Sequence, residues 1–145
     1  MTDNRERKRV LILCTGNSAR SQMAEGLWRH LAGDRFEVFS AGVVASFVRP
    51  QAIAVMKELG IDITQHRSKS VEEFLDQQLD YVITVCDHAN QLCPVFPGAV
   101  TRIHWSIDDP VVGDSESAQL EAFRRARDEL QRRIQSFVDA LRAGA

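Results

Sequence analysis

The sequence predicts a single α/β domain built on an open, four-stranded parallel sheet with helices on both faces. Three observations carry this. Short apolar runs at 10–13, 36–39, 80–85 and 102–107 alternate with longer stretches whose apolar residues recur every three or four positions. At 145 residues the chain suits one domain, and a chain of this size buries about 68–70% of its unfolded surface. No internal repeat, low-complexity tract or linker divides it. In open parallel sheets ligands bind at the carboxyl ends of the strands, so the residues just beyond each strand are where chemistry is expected.

In chain order, residues 1–8 are polar and highly charged and read as a flexible tail ahead of one domain spanning 9–142. Only four apolar residues follow the charged Arg5–Arg9 run, so no signal peptide is expected. Val10–Leu13 reads as a buried strand ending on Cys14. A helical pattern begins by Met23, continues through Leu27 and Leu31, and ends near Gly33, which suits the C′ position. Phe36–Phe39 alternates toward Ser40-Ala41-Gly42 as a second strand. Pro50 opens a helix with Ile53, Met56 and Leu59 on one face, closed by Gly60. Residues 61–70 read as irregular, followed by a short amphipathic helix from Val71 to about Gln77. Asp80–Val85 is a strong buried strand that ends on Cys86. Asp87–Gly98, with two prolines and few apolar residues, reads as a loop with at most one helical turn. Arg102–Ile107 is the fourth strand and runs into Asp108-Asp109-Pro110. Ser117 to about Leu141 is the longest helix, and its stripe of Leu120, Phe123, Leu130, Ile134, Phe137 and Leu141 is expected to pack against the sheet.

Composition narrows the function. With 44% apolar and 26% charged residues the chain is ordinary for a globular protein, and a net charge of -2 gives no support for nucleic-acid binding. No segment approaches the roughly 20 apolar residues that span a membrane, so a cytoplasmic protein is expected. Three cysteines make no closed disulfide set and point to reactive or metal-binding thiols in a reducing compartment.

The densest signal is Cys14-Thr15-Gly16-Asn17-Ser18-Ala19-Arg20-Ser21. A strand that enters a helix through a loop of small residues aims several backbone N–H groups, and the positive end of the helix dipole, at one point. Cys14 stands at the edge of that anion seat; such surroundings lower a thiol pKa from about 8.5 to roughly 3.5–7.5. Arg20 supplies a guanidinium fork for a tetrahedral oxyanion, and Ser18 and Ser21 can add hydroxyl donors. For a lone cysteine a plain strand-end turn would be the better reading. A Cys and an Arg flanking five small or polar residues at such a junction favours a nucleophile.

Cys86 and Cys93 admit three readings: one buried and one incidental cysteine, a zinc site with His88, or a redox relay through Cys14. Zinc is disfavoured because the spacing matches no usual paired-ligand pattern and His104 as a fourth ligand is arbitrary. Thiol–disulfide exchange needs only reachable sulfurs and a flexible connection. Asp109, before Pro110, is either a turn residue or an acid that protonates a departing oxygen. His66, His88 and His104 read as packing or surface residues.

The Cys14–Ser21 stretch resembles the Cys-x5-Arg-Ser phosphate loop of the low-molecular-weight tyrosine phosphatase fold, and more closely that of the thioredoxin-coupled arsenate reductases built on it. The resemblance runs from Arg9 to the C-terminal helix. It implies that Thr15 to Ser21 bind the oxyanion, that Cys14 attacks it, that Arg20 clamps it and that Asp109 gives the proton, with Asp108 structural. It implies that Cys86 and Cys93 form the relay pair, that Asn17 braces the loop, that no cofactor is needed and that thioredoxin is the electron donor of a monomeric enzyme reducing arsenate to arsenite. Ser40 and Glu25 match positions near the loop where some members bind a monovalent cation; Lys69 stands where those members offer a carboxylate, so no potassium site is expected. Ala19 replaces a cysteine common in this loop. Val111-Val112 stand where eukaryotic-type phosphatases offer aromatic residues, which weakens a tyrosine phosphatase reading. That activity and a thiol-based arsenite or metal sensor are the alternatives.

Overall fold

The computed structural model describes residues 7–111 and 115–143, so most of the expected N-terminal tail, and Val112, lie outside the described residues. The chain order is β1 (Lys8–Cys14), α1 (Arg20–Ala32), β2 (Phe36–Gly42), α2 (Pro50–Lys57), a 3-10 turn at Val71–Phe74, β3 (Tyr81–Thr84), α3 (Asp87–Gln91), β4 (Thr101–His104) and α4 (Glu116–Ala143). All four strands are parallel in the order β2-β1-β3-β4. With β1 and β3 central, Cys14 and Cys86 leave adjacent strand ends on the same edge of the sheet.

Both faces are covered, which is why β1 is buried without alternation from Val10 to Cys14. On one face Ser40 reaches Glu25 of α1, and Tyr81 packs edge-on against Phe137 of α4 at 5.2 Å. On the other, Phe39 meets Phe74 of the 3-10 turn at 5.5 Å, and Thr84 reaches Asn90 of α3. A cluster of Trp28, Phe36, Trp105 and Phe137 closes the first face.

Several local expectations need correction. α4 lies mainly on α1 and α2 and touches the sheet through Phe137. The buried Arg127, invisible to an apolar-stripe argument, seals the α2 contact by donating to Val55 O and Glu58 at the open C-terminal end of that helix. β4 stops at His104 instead of Ile107, although Trp105 and Ile107 still donate to the carbonyls of Thr84 and Val85. The amphipathic stretch after Ser70 is a four-residue 3-10 turn, capped by the Ser70 hydroxyl, rather than a helix to Gln77. Gly33 ends α1 in the right-handed region at φ -64, whereas Gly60 takes the left-handed φ of 76 that lets the chain turn after α2. Among the described residues no helix is long and apolar enough to cross a membrane.

Candidate functional site

The loop between β1 and α1 is held with its carbonyls outward. The segment after β2 runs along it, and the N–H groups of Val43, Val44, Ser46 and Arg49 bind the carbonyls of Cys14, Thr15, Gly16 and Ser18. The Ser46 and Ser68 hydroxyls also donate to Gly16 O, and Gln22 takes the Asn17 carbonyl at 3.2 Å. Among the described residues no protein acceptor takes the backbone N–H of residues 15–20. With every bonded carbonyl turned away, those donors are left for a ligand, at the N-terminus of a 13-residue helix. Arg20 is the first residue of that helix, and its guanidinium donates to Ile107 O at 2.9 Å.

Asn17 fixes the loop from beneath. Its φ of 49 is left-handed, a region Asn tolerates better than most residues, and its side chain is fully buried. Nδ2 donates to Ser21 Oγ (2.8 Å) and Ser40 Oγ (3.0 Å), while Oδ1 accepts from Gln22 Nε2 and Lys69 N (both 2.9 Å). Both donors and both lone pairs of the amide are used. Because Nδ2 can only donate, Ser21 Oγ accepts from it, and the same oxygen lies 2.8 Å from Cys14 Sγ. The network therefore holds the Ser21 hydroxyl against the buried thiol.

By the same logic Ser40 accepts from Asn17 and donates to Glu25 at 2.5 Å. Glu25 is almost wholly buried, with Arg29 at 2.6 Å, Lys69 Nζ at 3.6 Å and His66 Nε2 at 4.0 Å. Burial pushes the Lys69 ammonium down from its ordinary value, and the Glu25 charge opposes that. Burial also lowers His66, whose Nδ1 lies 2.9 Å from Gln22 Oε1.

The three cysteines are free. Cys86 is buried at the N-cap of α3, accepts from Ala89 N at 3.4 Å, and lies 3.2 Å from Thr15 Oγ1. The second thiol is thus seated against the oxyanion loop itself. Cys93 is half-buried, with its Sγ 3.6 Å from Pro94 O. Burial pushes its thiol up, and the neighbouring Arg102 guanidinium opposes this. Asp109 is exposed and accepts from Val111 N at 3.0 Å, an Asx turn, with no bond to the loop. It is tethered to the site through Arg20, which holds the carbonyl of Ile107 two residues earlier. Behind the Asp108-Asp109-Pro110 corner a cavity of about 380 Å³ opens toward α4, lined by Arg125 and Arg132 among others and by no loop residue.

Sequence reasoning missed four participants. Gly42 pairs with Cys14 in register, and a Cβ there would stand 2.7 Å from Asn17 N. Gln22 orients the Asn17 amide. His104 donates to Asp87 of α3 at 2.8 Å. Phe47, on the segment laid along the loop, is 55% exposed, with the Arg49 guanidinium stacked on it at 5.2 Å. Only Gly42, at the end of an otherwise ordinary strand, carried a local signal. No group of three or more His, Cys, Asp and Glu residues that could hold a metal ion occurs among the described residues.

Residues 9–144 match the family model described as low molecular weight phosphotyrosine protein phosphatase. An arsenate reductase of Halalkalibacterium halodurans is 43% identical over 92% of this chain and 96% of its own length. Two solved structures share the architecture. A thioredoxin-dependent arsenate reductase of Corynebacterium glutamicum superposes with a TM-score of 0.77 at 26% identity, covering 99% of this chain and 66% of that one. A low molecular weight protein tyrosine phosphatase from T. tengcongensis gives 0.74 at 32%, covering 92% and 99%.

Proposed function

The chain belongs to the low molecular weight phosphotyrosine protein phosphatase family, and we propose that within it this protein is a thioredoxin-dependent arsenate reductase that contributes to arsenic detoxification. The observation that carries the reading is the Cys86 thiol, held against the oxyanion loop through Thr15 on the strand next to the one that delivers Cys14. Hydrolysis of a phosphate ester has no use for a second sulfur there; reduction of arsenic requires one. The arsenate reductase relative supports the same substrate.

The loop N–H groups and Arg20 bind arsenate, and Cys14 attacks arsenic through the sulfur that lies against the Ser21 hydroxyl. An arsenic–oxygen bond breaks, and Asp109 supplies the proton for the departing oxygen. Cys86 then attacks Cys14 Sγ. The sulfur–sulfur bond forms, the sulfur–arsenic electron pair stays with arsenic, and arsenite leaves. Cys93 attacks Cys86 in turn and restores the Cys14 thiolate, and a thioredoxin dithiol reduces the Cys86–Cys93 disulfide. Arsenite production measured with and without a thioredoxin system tests the reading, and no turnover with the system present refutes it. Cys93→Ser should turn over about once and stall as a Cys14–Cys86 disulfide. Cys86→Ser should fail to release arsenite.

The second reading is a protein tyrosine phosphatase, favoured by one feature: the exposed Phe47 ring on the segment bound to the loop. Hydrolysis of a small aryl phosphate should survive both relay substitutions. If Cys93→Ser sustains thioredoxin-driven arsenate turnover at the native rate, the relay assignment is wrong and this second reading moves ahead.

A further inference from the structure

Cys86 and Cys93 flank α3, and the closed form of that helix keeps them apart. Seven residues at the helical rise of about 1.5 Å place their Cα atoms about 10 Å apart, whereas a disulfide spans about 4.4–6.8 Å between Cα atoms. The exchange between them therefore requires α3 to unwind. The first exchange carries no such constraint from α3, because Cys86, at the N-cap of that helix, rests on Thr15, the residue after Cys14.

A hydrogen-bonded chain ties α3 down at two points. Asp87, its first residue, accepts from His104 Nε2 at 2.8 Å and from Ser106 Oγ at 3.2 Å. The other ring nitrogen of His104 lies 2.7 Å from Thr84 Oγ1, and Thr84 also reaches Asn90 Oδ1, one turn along α3, at 3.3 Å. Thr84 and His104 are the last residues of β3 and β4, so the rigid ends of two paired strands grip both ends of a five-residue helix. The hydrogen bonds from His104 and Ser106 hold the Asp87 carboxyl below the usual carboxylate range, and the Arg20 charge adds to this. None of these contacts is needed to build the oxyanion seat.

We propose that the chain Ser106–Asp87–His104–Thr84–Asn90 is a latch that keeps α3 wound, and that its release sets the rate at which the disulfide passes from Cys86 to Cys93. The inference rests on the three-cysteine relay proposed for this site. In the step it controls, the Cys93 thiolate attacks Sγ of Cys86, the Cys86–Cys93 bond forms, the Cys14–Cys86 bond breaks, and its electron pair returns to Cys14 as thiolate. No outside oxidant enters. His104 and Asn90 are positioning residues, since they touch neither arsenate nor a sulfur.

The test is a single turnover of arsenate, read by acid quench and disulfide mapping in the full chain, with His104→Ala and, as a second exposed site that leaves the strands untouched, Asn90→Ala. Each should speed the Cys86–Cys93 step about two- to fivefold, the range expected for one exposed polar contact, and leave formation of the Cys14–Cys86 disulfide unchanged. Hydrogen exchange of the 89–92 amides in the reduced protein, which needs no arsenate, should rise by the same factor. An unchanged second step, or equal changes in both steps, overturns the latch. If the native protein forms no Cys14–Cys86 disulfide, the relay reading fails, and amide exchange still decides the hold on α3: no rise overturns that too.

Discussion

Gly42→Ala adds one methyl group at the point where β2 passes beneath the oxyanion loop. The new Cβ would meet Asn17 N at 2.7 Å, Thr15 O at 2.8 Å and Gly16 C at 2.9 Å, all backbone atoms, where ordinary contact begins near 3.4 Å. Gly42 cannot retreat easily, because it pairs with Cys14 and its N–H is bound to Lys69 O at 2.8 Å. The loop must therefore lift by roughly 0.7 Å, the shortfall at Asn17 N. Overpacking of this kind costs about 1–3 kcal/mol, which for a domain of this size lowers the melting temperature by about 2–10 °C. The functional cost should be larger in proportion, since misplacing reacting groups by about 1 Å costs about 100-fold in rate. Phosphate affinity, read as protection of Cys14 against alkylation, and arsenate turnover should each fall about tenfold or more, while circular dichroism stays native. A variant that binds phosphate like the native protein would show that Gly42 does not set the loop's height.

The site carries three further expected outcomes. Cys14 should be alkylated at pH 6 well before Cys86 and Cys93, with phosphate or sulfate protecting it; equal reactivity of the three thiols, indifferent to oxyanions, would remove the anion-binding nucleophile. Arg20→Lys keeps the charge and loses the bidentate fork, so arsenate reduction should fall severely with the fold intact, and native kinetics would take Arg20 out of the site. Burial holds the His66 ring below its ordinary value of 6.5, so the unfolded chain takes up this proton first as pH falls and stability drops below about pH 6.5. Urea unfolding at pH 7.5 and 5.5 should show a smaller loss in His66→Gln, and equal losses would refute the assignment.

The sheet and its helices were legible because local signals dictate them: an unbroken apolar run for the twice-covered β1, Pro50 at the start of α2 and Gly60 after its end. β4 was overextended because Trp105 and Ile107 keep an apolar alternation and are buried, yet have left the ladder for single bonds to the end of β3. Periodicity reports burial, and pairing is a separate property. The Cys14–Ser21 loop could be read from spacing alone. Its supports could not, because Gln22, Gly42 and Lys69 reach Asn17 or its backbone from three different elements. The Asp87–His104 contact was equally hidden, since nothing in either residue's neighbourhood names the other.

One loop can serve two chemistries because it captures the oxyanion in the same way for both. The segment after β2 and Gln22 hold the loop carbonyls outward before any ligand arrives. The donors are therefore already aimed, and little reorganisation opposes the transition state. Phosphate and arsenate are both tetrahedral oxyanions and meet the same N–H groups and the same guanidinium. Ester hydrolysis needs no second sulfur and reduction does, so what the neighbouring strand β3 delivers to the rim matters. Here it delivers Cys86, buried, capped by Ala89 N–H and touching Thr15. In the proposed relay the reducing equivalents enter through Cys93 and Cys86, across a helix that must open. The division is a physical one: the oxyanion seat gains from rigidity, and the relay proposed beside it would need α3 to give way.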